Sequence, residues 1–123
     1  MINVVAAVIK NKNLYLIAQR NRNKHLGLKW EFPGGKVEKN ETFHDALIRE
    51  IREELNVDIH IIKKITKEKY KDFKINISIH YYLCTIIKGD FKLNEHEDFA
   101  WVEKKNFLKY KFTGGDENIL SLI

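Results

Sequence analysis

The chain has 123 residues, of which 44% are hydrophobic and 32% charged, and its net charge is +5. These values are typical of an ordinary globular protein, and the length predicts a single domain spanning residues 1–123. No stretch is long and apolar enough to suggest a membrane span, so we expect no membrane partner. Cys84 is the only cysteine. An intrachain disulfide is therefore excluded, and a reducing compartment, the cytoplasm, is expected.

The positive charge has two interpretations. It is either a lysine-biased solvated surface or an attraction for a polyanion such as a nucleotide or nucleic acid. No block of basic residues, zinc pattern or RNA-binding signature accompanies the charge. We therefore expect no stable nucleic-acid partner.

The first half of the chain predicts two strands, a loop and a helix. Residues 3–10 and 14–20 are rich in strand-forming side chains and are separated by the turn-like "NKN". A polar loop then leads into "WEFPGGKVEKNE", which contains the only proline. Apolar side chains recur at helical spacing within residues 42–55, which predicts a helix.

The second half is mostly β-like. Residues 57–65 predict a strand, and residues 99–102 a short one, followed by a helical turn at 103–108 and a terminal helix at 116–123. Because strands outnumber helices, we expect a mixed sheet with a few helices packed on it, of the α/β or α+β class. Residues 75–84 predict another strand, whose alternation places these side chains on one face: Ile75, Ile77, Ile79, Tyr81 and Leu83.

Three glutamates lie on one side of the predicted helix near its C-terminal end. Glu50, Glu53 and Glu54 are related by steps of three and four residues, at which like charges repel, and the helix dipole disfavours anions at this end. A solvated surface helix would carry a basic residue four positions after each glutamate, but Glu54 follows Glu50, and Arg49 and Arg52 fall outside the sector. A bound Mg²⁺ would resolve the conflict because it prefers carboxylate and phosphate oxygens. The pattern therefore favours a divalent metal site.

The turn before the helix supports this interpretation. Pro33 restricts the backbone, while Gly34 and Gly35 allow a sharp turn and a close approach to a ligand. A plain strand-to-helix turn is the alternative. The fixed number of residues between the turn "FPGG" and the glutamates makes the combination more specific than the tetrapeptide "FPGG" alone.

The spacing of these residues resembles the Nudix box, G-x5-E-x7-R-E-U-x-E-E-x-G-U, in which U is a bulky aliphatic residue. Asn56 stands where the box has its last glycine; that position ends the helix in the left-handed conformation, for which asparagine is the next-best residue. The stretch "WEFPGGKVE" resembles the MutT-like branch of the family. Eight residues match the box: Gly35, Glu41, Arg49, Glu50, Ile51, Glu53, Glu54 and Val57.

The resemblance implies a Nudix fold, an α/β/α sandwich with a mixed β-sheet. It also implies a Mg²⁺-dependent attack of water on a phosphate chain, with Mn²⁺ as an alternative ion. The main expectation is hydrolysis of oxidised nucleoside triphosphates such as 8-oxo-dGTP to the monophosphate and pyrophosphate. The alternatives are a CTP or modified-dCTP pyrophosphohydrolase, a Nudix hydrolase of another diphosphate such as ADP-ribose or a capped RNA end, and a nucleotide-sensing module without activity. The expected partner is a small nucleotide, bound to a monomer or homodimer.

The resemblance also implies roles for individual residues. Glu50, Glu53 and Glu54 would be metal ligands together with the carbonyl oxygen of Gly34, and Glu53 would also be catalytic. In "EHEDFAW", Glu95 lies six residues before Trp101 and would be a metal ligand or the base that activates water. A solvated loop acid is the alternative for Glu95, as we expect for the neighbouring Glu97 and Asp98.

Further residues are candidates for structure or substrate binding. Glu41 and Arg49 lie about 80° apart on the helical wheel, which predicts an ion pair that braces the helix next to Gly35. Arg20 and Lys36 could bind phosphate oxygens, although Lys36 could equally be a solvated lysine. His25 is either a residue near the substrate or an incidental loop histidine. Phe32 could either pack against the base or belong to the core.

Asp116 has two interpretations in "FTGGDENIL". It is either the N-cap of the last helix or a side chain that reads the base. The MutT-like pattern implies a base reader here, an asparagine in enzymes that select 8-oxoguanine. Ionised aspartate only accepts hydrogen bonds, which suits the amines of cytosine and adenine or the donors of guanine. The presence of aspartate instead of asparagine at this position therefore makes CTP a candidate substrate.

Overall fold

The computed structural model describes residues 1–123 and contains seven strands and three helical segments. The helical segments are α1 (Phe43–Leu55), a 3₁₀ helix (Lys104–Lys109) and α2 (Gly114–Glu117). The strands are β1 (Ile2–Asn11), β2 (Leu14–Gln19), β3 (Trp30–Glu31), β4 (Gly34–Lys36), β5 (Val57–Lys71), β6 (Asn76–Gly89) and β7 (Asp98–Glu103). No helix is long and apolar enough to cross a membrane.

The strands form one mixed sheet. Its main order is β3-β2-β1-β6-β5, with β4 paired to β1 and β7 paired to β2. Only the pairing of β1 with β6 is parallel; every other pairing is antiparallel. The mixed sheet expected from the sequence is therefore confirmed.

Helix α1 has well-defined ends. Thr42 is its N-cap and accepts a hydrogen bond from the amide of Asp45 at 3.0 Å. At the other end Asn56 takes the left-handed conformation, with φ of 58°, and its amide bonds to the carbonyl of Arg52. The prediction that asparagine replaces the helix-ending glycine is confirmed.

Both faces of the sheet are covered. On one face, α1 packs its Leu47, Ile51 and Leu55 against β1 and β6. The other face buries Ile79, Tyr81 and Phe112 beneath the 3₁₀ helix and the C-terminal segment. The layers therefore follow the predicted α/β/α sandwich.

Three predicted elements differ from the structure, and the short strands β3 and β4 were not predicted. The strand predicted at 75–84 runs from Asn76 to Gly89. The terminal helix predicted at 116–123 is wrong, because α2 has only four residues and the chain continues in turns. The strand predicted at 57–65 extends to Lys71, because β6 pairs with β5 along its whole length. β6 lies between β1 and β5 in the sheet, so both of its faces are buried. Ile79 and Tyr81 point to one side of the sheet, and Tyr82 and Cys84 point to the other.

Candidate active site

A cavity of about 550 Å³ opens beside the C-terminal part of α1. Most of the sequence-predicted site residues line it, whereas Glu41, Arg49 and Glu53 do not. The cavity has a carboxylate-rich end near α1 and a mixed end formed by β3, β5, β6 and α2. The predicted residues in its wall are Arg20, His25, Phe32, Gly34, Gly35, Lys36, Glu50, Glu54, Glu95 and Asp116.

The two glycines of β4 allow backbone and carboxylate to come together. A Cβ atom on Gly34 would lie 1.9 Å from the carbonyl oxygen of Val5 on β1. A Cβ atom on Gly35 would lie 2.2 Å from Oε2 of Glu50. Neither position can therefore hold a larger residue without moving the strand or the glutamate.

The loop after β6 brings Glu95 to the end of α1. The last carbonyl groups of a helix lack partners within the helix, and this loop supplies them. The amides of Lys92 and Asn94 bond to the carbonyls of Leu55 and Glu54 at 2.9 and 3.0 Å. Capping of the helix therefore also positions Glu95 at the cavity.

Arg49 connects the glutamates of the box. Its Nε and Nη2 lie 2.7 and 3.0 Å from the two oxygens of Glu41, and this bidentate bond holds the pKa of Glu41 down to about 2. The ion pair predicted between Glu41 and Arg49 is therefore present. The expectation that Arg49 points away from the carboxylates is wrong, because its Nη1 reaches Glu50 at 2.7 Å and Glu53 at 3.3 Å.

Glu54 is the most constrained of the three helix carboxylates. Its side chain is 5% exposed, and its Oε1 is buried with no hydrogen-bond partner. Burial, followed by the charges of Glu31, Glu50 and Glu95, raises its pKa to about 9. A buried oxygen without a donor is costly, so this atom calls for a proton or a cation.

The acidic neighbours of Glu54 fit a hard divalent cation, because Glu31, Glu50 and Glu95 are the main charges that act on it and carboxylate oxygens are the ligands that such an ion prefers. Burial also raises the pKa of Glu50, although Arg49 opposes this effect. The side chain of Glu53 is 55% exposed and lies outside the cavity. The three glutamates therefore do not converge as the helical wheel suggested, and no three acidic, histidine or cysteine side chains are already arranged to hold a metal.

Glu95 differs from its neighbours in the same loop. Its side chain is 49% exposed at the cavity, and its Oε2 lies 3.5 Å from Nζ of Lys24. Glu97 pairs with Arg22 at 3.0 Å, so the expectation that it is a merely solvated acid is wrong. Between them, His96 turns inward and bonds to Glu31. Of the acidic side chains in this loop, only Glu95 faces the cavity.

Glu31 is a cavity residue that the sequence reasoning left without a role. Its Oε1 lies 2.8 Å from Nη1 of Arg20 and its Oε2 lies 2.9 Å from Nε2 of His96. Burial opposes ionisation of Glu31, but these two partners together hold its pKa below the usual value. The feature of the sequence that could have indicated a role for Glu31 is its place between Trp30 and Phe32, where a charged residue interrupts two aromatic ones.

Arg20, a predicted phosphate ligand, already uses part of its guanidinium group in hydrogen bonds within the protein. Besides its bond to Glu31, its Nε donates to the carbonyl of His25 at 2.9 Å. Lys36 lies exposed at the cavity rim, and its carbonyl accepts a bond from Arg49. Both side chains therefore line the cavity with positive charge.

His25 ties two walls of the cavity together. Its Nε2 lies 2.8 Å from Oδ2 of Asp72, at the tip of the β5–β6 hairpin, and that oxygen also accepts from the hydroxyl of Tyr70. The bond to His25, reinforced by backbone donors, holds the pKa of Asp72 well below its usual range. His25 is thus anchored in the fold.

Phe32 contributes its backbone more than its ring. The ring is 2% exposed and packs on Phe107 and Phe112, with centroids 6.3 and 5.6 Å away. This packing favours the core alternative for the side chain. Its amide donates to Oδ2 of Asp116 at 2.8 Å.

Asp116 is not a helix cap. Thr113 occupies the N-cap position of α2, and Asp116 lies inside the helix with 4% of its surface exposed. Its carboxyl lines the cavity and accepts hydrogen bonds from the amide of Phe32 and the hydroxyl of Tyr81. Burial raises its pKa to about 7 despite these donors. The cap interpretation is therefore wrong, and the carboxyl is presented to the cavity.

Comparison with known proteins agrees with this arrangement. The NUDIX domain match and the relatives named as diphosphatase and triphosphatase identify the class of protein as a hydrolase. The NUDIX domain model matches residues 1–123, and the chain belongs to the NUDIX family.

Individual relatives resemble the chain over most of its length. It is 32% identical to a CTP pyrophosphohydrolase of Escherichia coli K12, over 98% of this chain and 89% of that protein. It is 49% identical to an 8-oxo-dGTP diphosphatase of Proteus vulgaris, over 72% and 80% of the two chains. Among solved structures, the DNA mismatch repair protein MutT of methicillin-resistant Staphylococcus aureus 252 is 40% identical, with a TM-score of 0.77 and coverage of 98% and 92%.

Proposed function

We propose that this protein is a nucleoside triphosphate pyrophosphohydrolase of the MutT type. It would convert oxidised nucleotides such as 8-oxo-dGTP to the monophosphate and pyrophosphate. The observation that carries the proposal is the buried, unpartnered Oε1 of Glu54, in the wall of a cavity that also contains Asp116 and cationic side chains. The names of the relatives support the same reaction.

The family generally uses divalent metals, and we propose Mg²⁺, with Mn²⁺ as an alternative. Its ligands would come from Glu50, Glu53, Glu54, Glu95 and the carbonyl of Gly34. When bound, the ion would stabilise charge that develops on the phosphate oxygens.

The side chains around the cavity would share the remaining tasks. Arg20 keeps its Nη2 free of hydrogen bonds and, with Lys24 and Lys36, would bind phosphate oxygens. Glu95 is exposed enough to reach a water molecule and would position it or accept its proton. At the other end, Asp116 would contact the base.

CTP is the second candidate substrate, and Asp116 is the specific observation that favours it. An ionised carboxylate can accept a hydrogen bond from the N4 amine of cytosine. The Escherichia coli relative named CTP pyrophosphohydrolase supports this alternative.

We further propose that the protein works as a single domain over residues 1–123, in the cytoplasm, as a monomer or homodimer. All seven strands belong to one sheet, which supports the single domain. The one cysteine, Cys84, is buried and unpaired, and burial raises the pKa of its thiol to about 12. An inert thiol is compatible with a reducing compartment.

The proposal is tested by measuring kcat/KM for a panel of nucleotides with Mg²⁺, with Mn²⁺ and with a chelator. The panel contains 8-oxo-dGTP, dGTP, CTP, dCTP, ATP and ADP-ribose. We expect metal-dependent hydrolysis with one triphosphate clearly preferred. A preference for ADP-ribose, or hydrolysis that persists in the chelator, would contradict the proposal.

A further inference from the structure

Tyr81 is a buried tyrosine whose hydroxyl has one partner. It lies in the middle of β6 with no exposed surface, and its hydroxyl donates to Oδ1 of Asp116. Oδ2 of the same carboxyl accepts the amide of Phe32. Both oxygens of Asp116 are thus held by hydrogen-bond donors. Tyr81 itself does not line the cavity, so it can affect a ligand there only through Asp116.

Packing alone does not explain the hydroxyl. The same face of β6 carries Ile77, Ile79 and Leu83, and the tyrosine ring lies among apolar side chains. A phenylalanine would fill the same volume without a polar group to satisfy, whereas a buried hydroxyl is costly unless it is hydrogen-bonded. The oxygen atom of Tyr81 is therefore best explained by the carboxyl that it contacts.

We propose that Tyr81 is a positioning residue for base selection, whose hydroxyl orients the Asp116 carboxyl and keeps it an acceptor towards the cavity. This inference rests on the proposed role of Asp116 as the group that contacts the base. A base edge would then have to offer a donor, such as an exocyclic amine, to the free lone pairs of Asp116.

The groups around Asp116 explain why one hydroxyl can decide its state. Burial and the negative charge of Glu31 on β3 favour the protonated carboxyl, whereas Tyr81, Phe32 and Thr113 favour the ionised one. Tyr70 on β5 also packs against α2, but its hydroxyl donates to Asp72 instead. These opposing effects leave the pKa of Asp116 at about 7. Loss of one donor would therefore protonate the carboxyl at neutral pH, and a protonated carboxyl also donates.

The matched control is the adjacent tyrosine. Tyr82 is also buried, at 5% exposure, but it points to the opposite face of the sheet and its hydroxyl makes no hydrogen bond. Tyr81→Phe and Tyr82→Phe each remove one oxygen atom from the same strand and keep the ring. Only the first removes a bond to Asp116.

The test measures KM and kcat for CTP and 8-oxo-dGTP from pH 5.5 to 9 with Mg²⁺, for the wild type and both variants. The ionisation of Asp116 is followed in parallel by the ¹³C chemical shift of its carboxyl. For Tyr81→Phe we expect the carboxyl titration to move upward by about one pH unit or more. The ratio of kcat/KM values for the two substrates should change at least about tenfold, mainly through KM. Tyr82→Phe should behave as the wild type.

The outcomes separate the inference from the function on which it rests. If Asp116→Asn changes the substrate ranking but Tyr81→Phe changes neither the ranking nor the carboxyl titration, the positioning role is wrong and the base-reading role stands. If Asp116→Asn also leaves the ranking unchanged, both roles are wrong. An equal effect of Tyr81→Phe and Tyr82→Phe would likewise overturn the inference.

Discussion

Arg49 and Glu50 are neighbours in the chain and also form an ion pair, with Nη1 of the arginine 2.7 Å from Oε1 of the glutamate. The same guanidinium group bonds to both oxygens of Glu41, in the segment between β4 and α1. The side chain of Arg49 thus joins that segment to α1 and neutralises part of the negative charge at the C-terminal end of the helix.

Arg49→Lys should therefore lower the stability of the metal-free protein. Lysine keeps the charge but loses the planar fork that bonds two glutamates at once. We expect the Tm to fall by roughly 5 °C. Arg52→Lys is the matched control, because Arg52 is largely exposed and pairs with Asp58 away from the cavity. Equal Tm shifts in the two variants would contradict the bracing role of Arg49.

Glu54→Gln and Glu53→Gln should differ in stability but agree in activity. Burial raises the pKa of Glu54 to about 9, so at neutral pH its side chain must take up a proton when the metal-free protein folds. Glutamine is neutral in both states and avoids this cost, so Glu54→Gln should raise the Tm of the metal-free protein. Glu53 is mostly exposed, and its substitution should leave that Tm nearly unchanged. Both should lower Mg²⁺-dependent turnover by about 10²-fold or more, equivalent to about 2.7 kcal/mol. Turnover close to wild type in either variant would refute its assignment as a metal ligand.

Glu95→Gln should lower kcat far more than it changes KM, by about 10²–10⁴-fold, as expected for a lost general base. Glu97 is unsuitable as a control because it anchors Arg22. Glu103→Gln is better matched, since Glu103 is an exposed acid at the end of β7, away from the cavity. Steady-state kinetics on the preferred triphosphate provide the measurement. A similar loss of kcat in both variants would mean that Glu95 has no special role.

Asp116 should make stability depend on pH in a definite direction. Its pKa is about 7 in the folded protein against 3.8 for an unperturbed aspartate, so between these values only the folded state keeps the proton. The free energy of unfolding should therefore fall as pH rises from about 4 to about 7, by on the order of 4 kcal/mol. Urea unfolding of the wild type and Asp116→Asn across this range isolates the effect. Parallel pH curves for the two proteins would show that Asp116 titrates normally.

Asp116→Asn should also change the choice of base. Asparagine both donates and accepts, so relative kcat/KM should move towards 8-oxo-dGTP and away from CTP by about tenfold or more. Because Asp116 does not cap α2, a stability loss from the variant would come from the amide facing the backbone donor of Phe32. If the ranking of CTP, dGTP and 8-oxo-dGTP stays the same, the base is read by another group.

Local patterns predicted the parts of the fold that local interactions determine. The spacing of apolar residues located α1, and the conformational preference of Asn56 predicted its end. The prediction of a terminal helix was wrong because the residues after α2 form turns and Ile119 packs into the core, which depends on tertiary contacts. The length of β5 likewise depends on its partner β6, which a single segment does not reveal.

The site was predictable wherever spacing along one element decided it. Glu50 and Glu54 face the cavity as the helical wheel suggests, but Glu53 lies outside it, largely exposed and paired with Arg49. The contacts of Asp116 could not be predicted, because Tyr81 lies 35 residues away in the chain. Glu31 was missed for the same reason, since its partner His96 lies on a distant loop.

The most direct test of the proposed function is ³¹P NMR of the products formed from 8-oxo-dGTP and from CTP with Mg²⁺. The account predicts equal amounts of nucleoside monophosphate and pyrophosphate, with no orthophosphate, from the preferred substrate. Release of orthophosphate and a nucleoside diphosphate, or no product from any triphosphate, would contradict it.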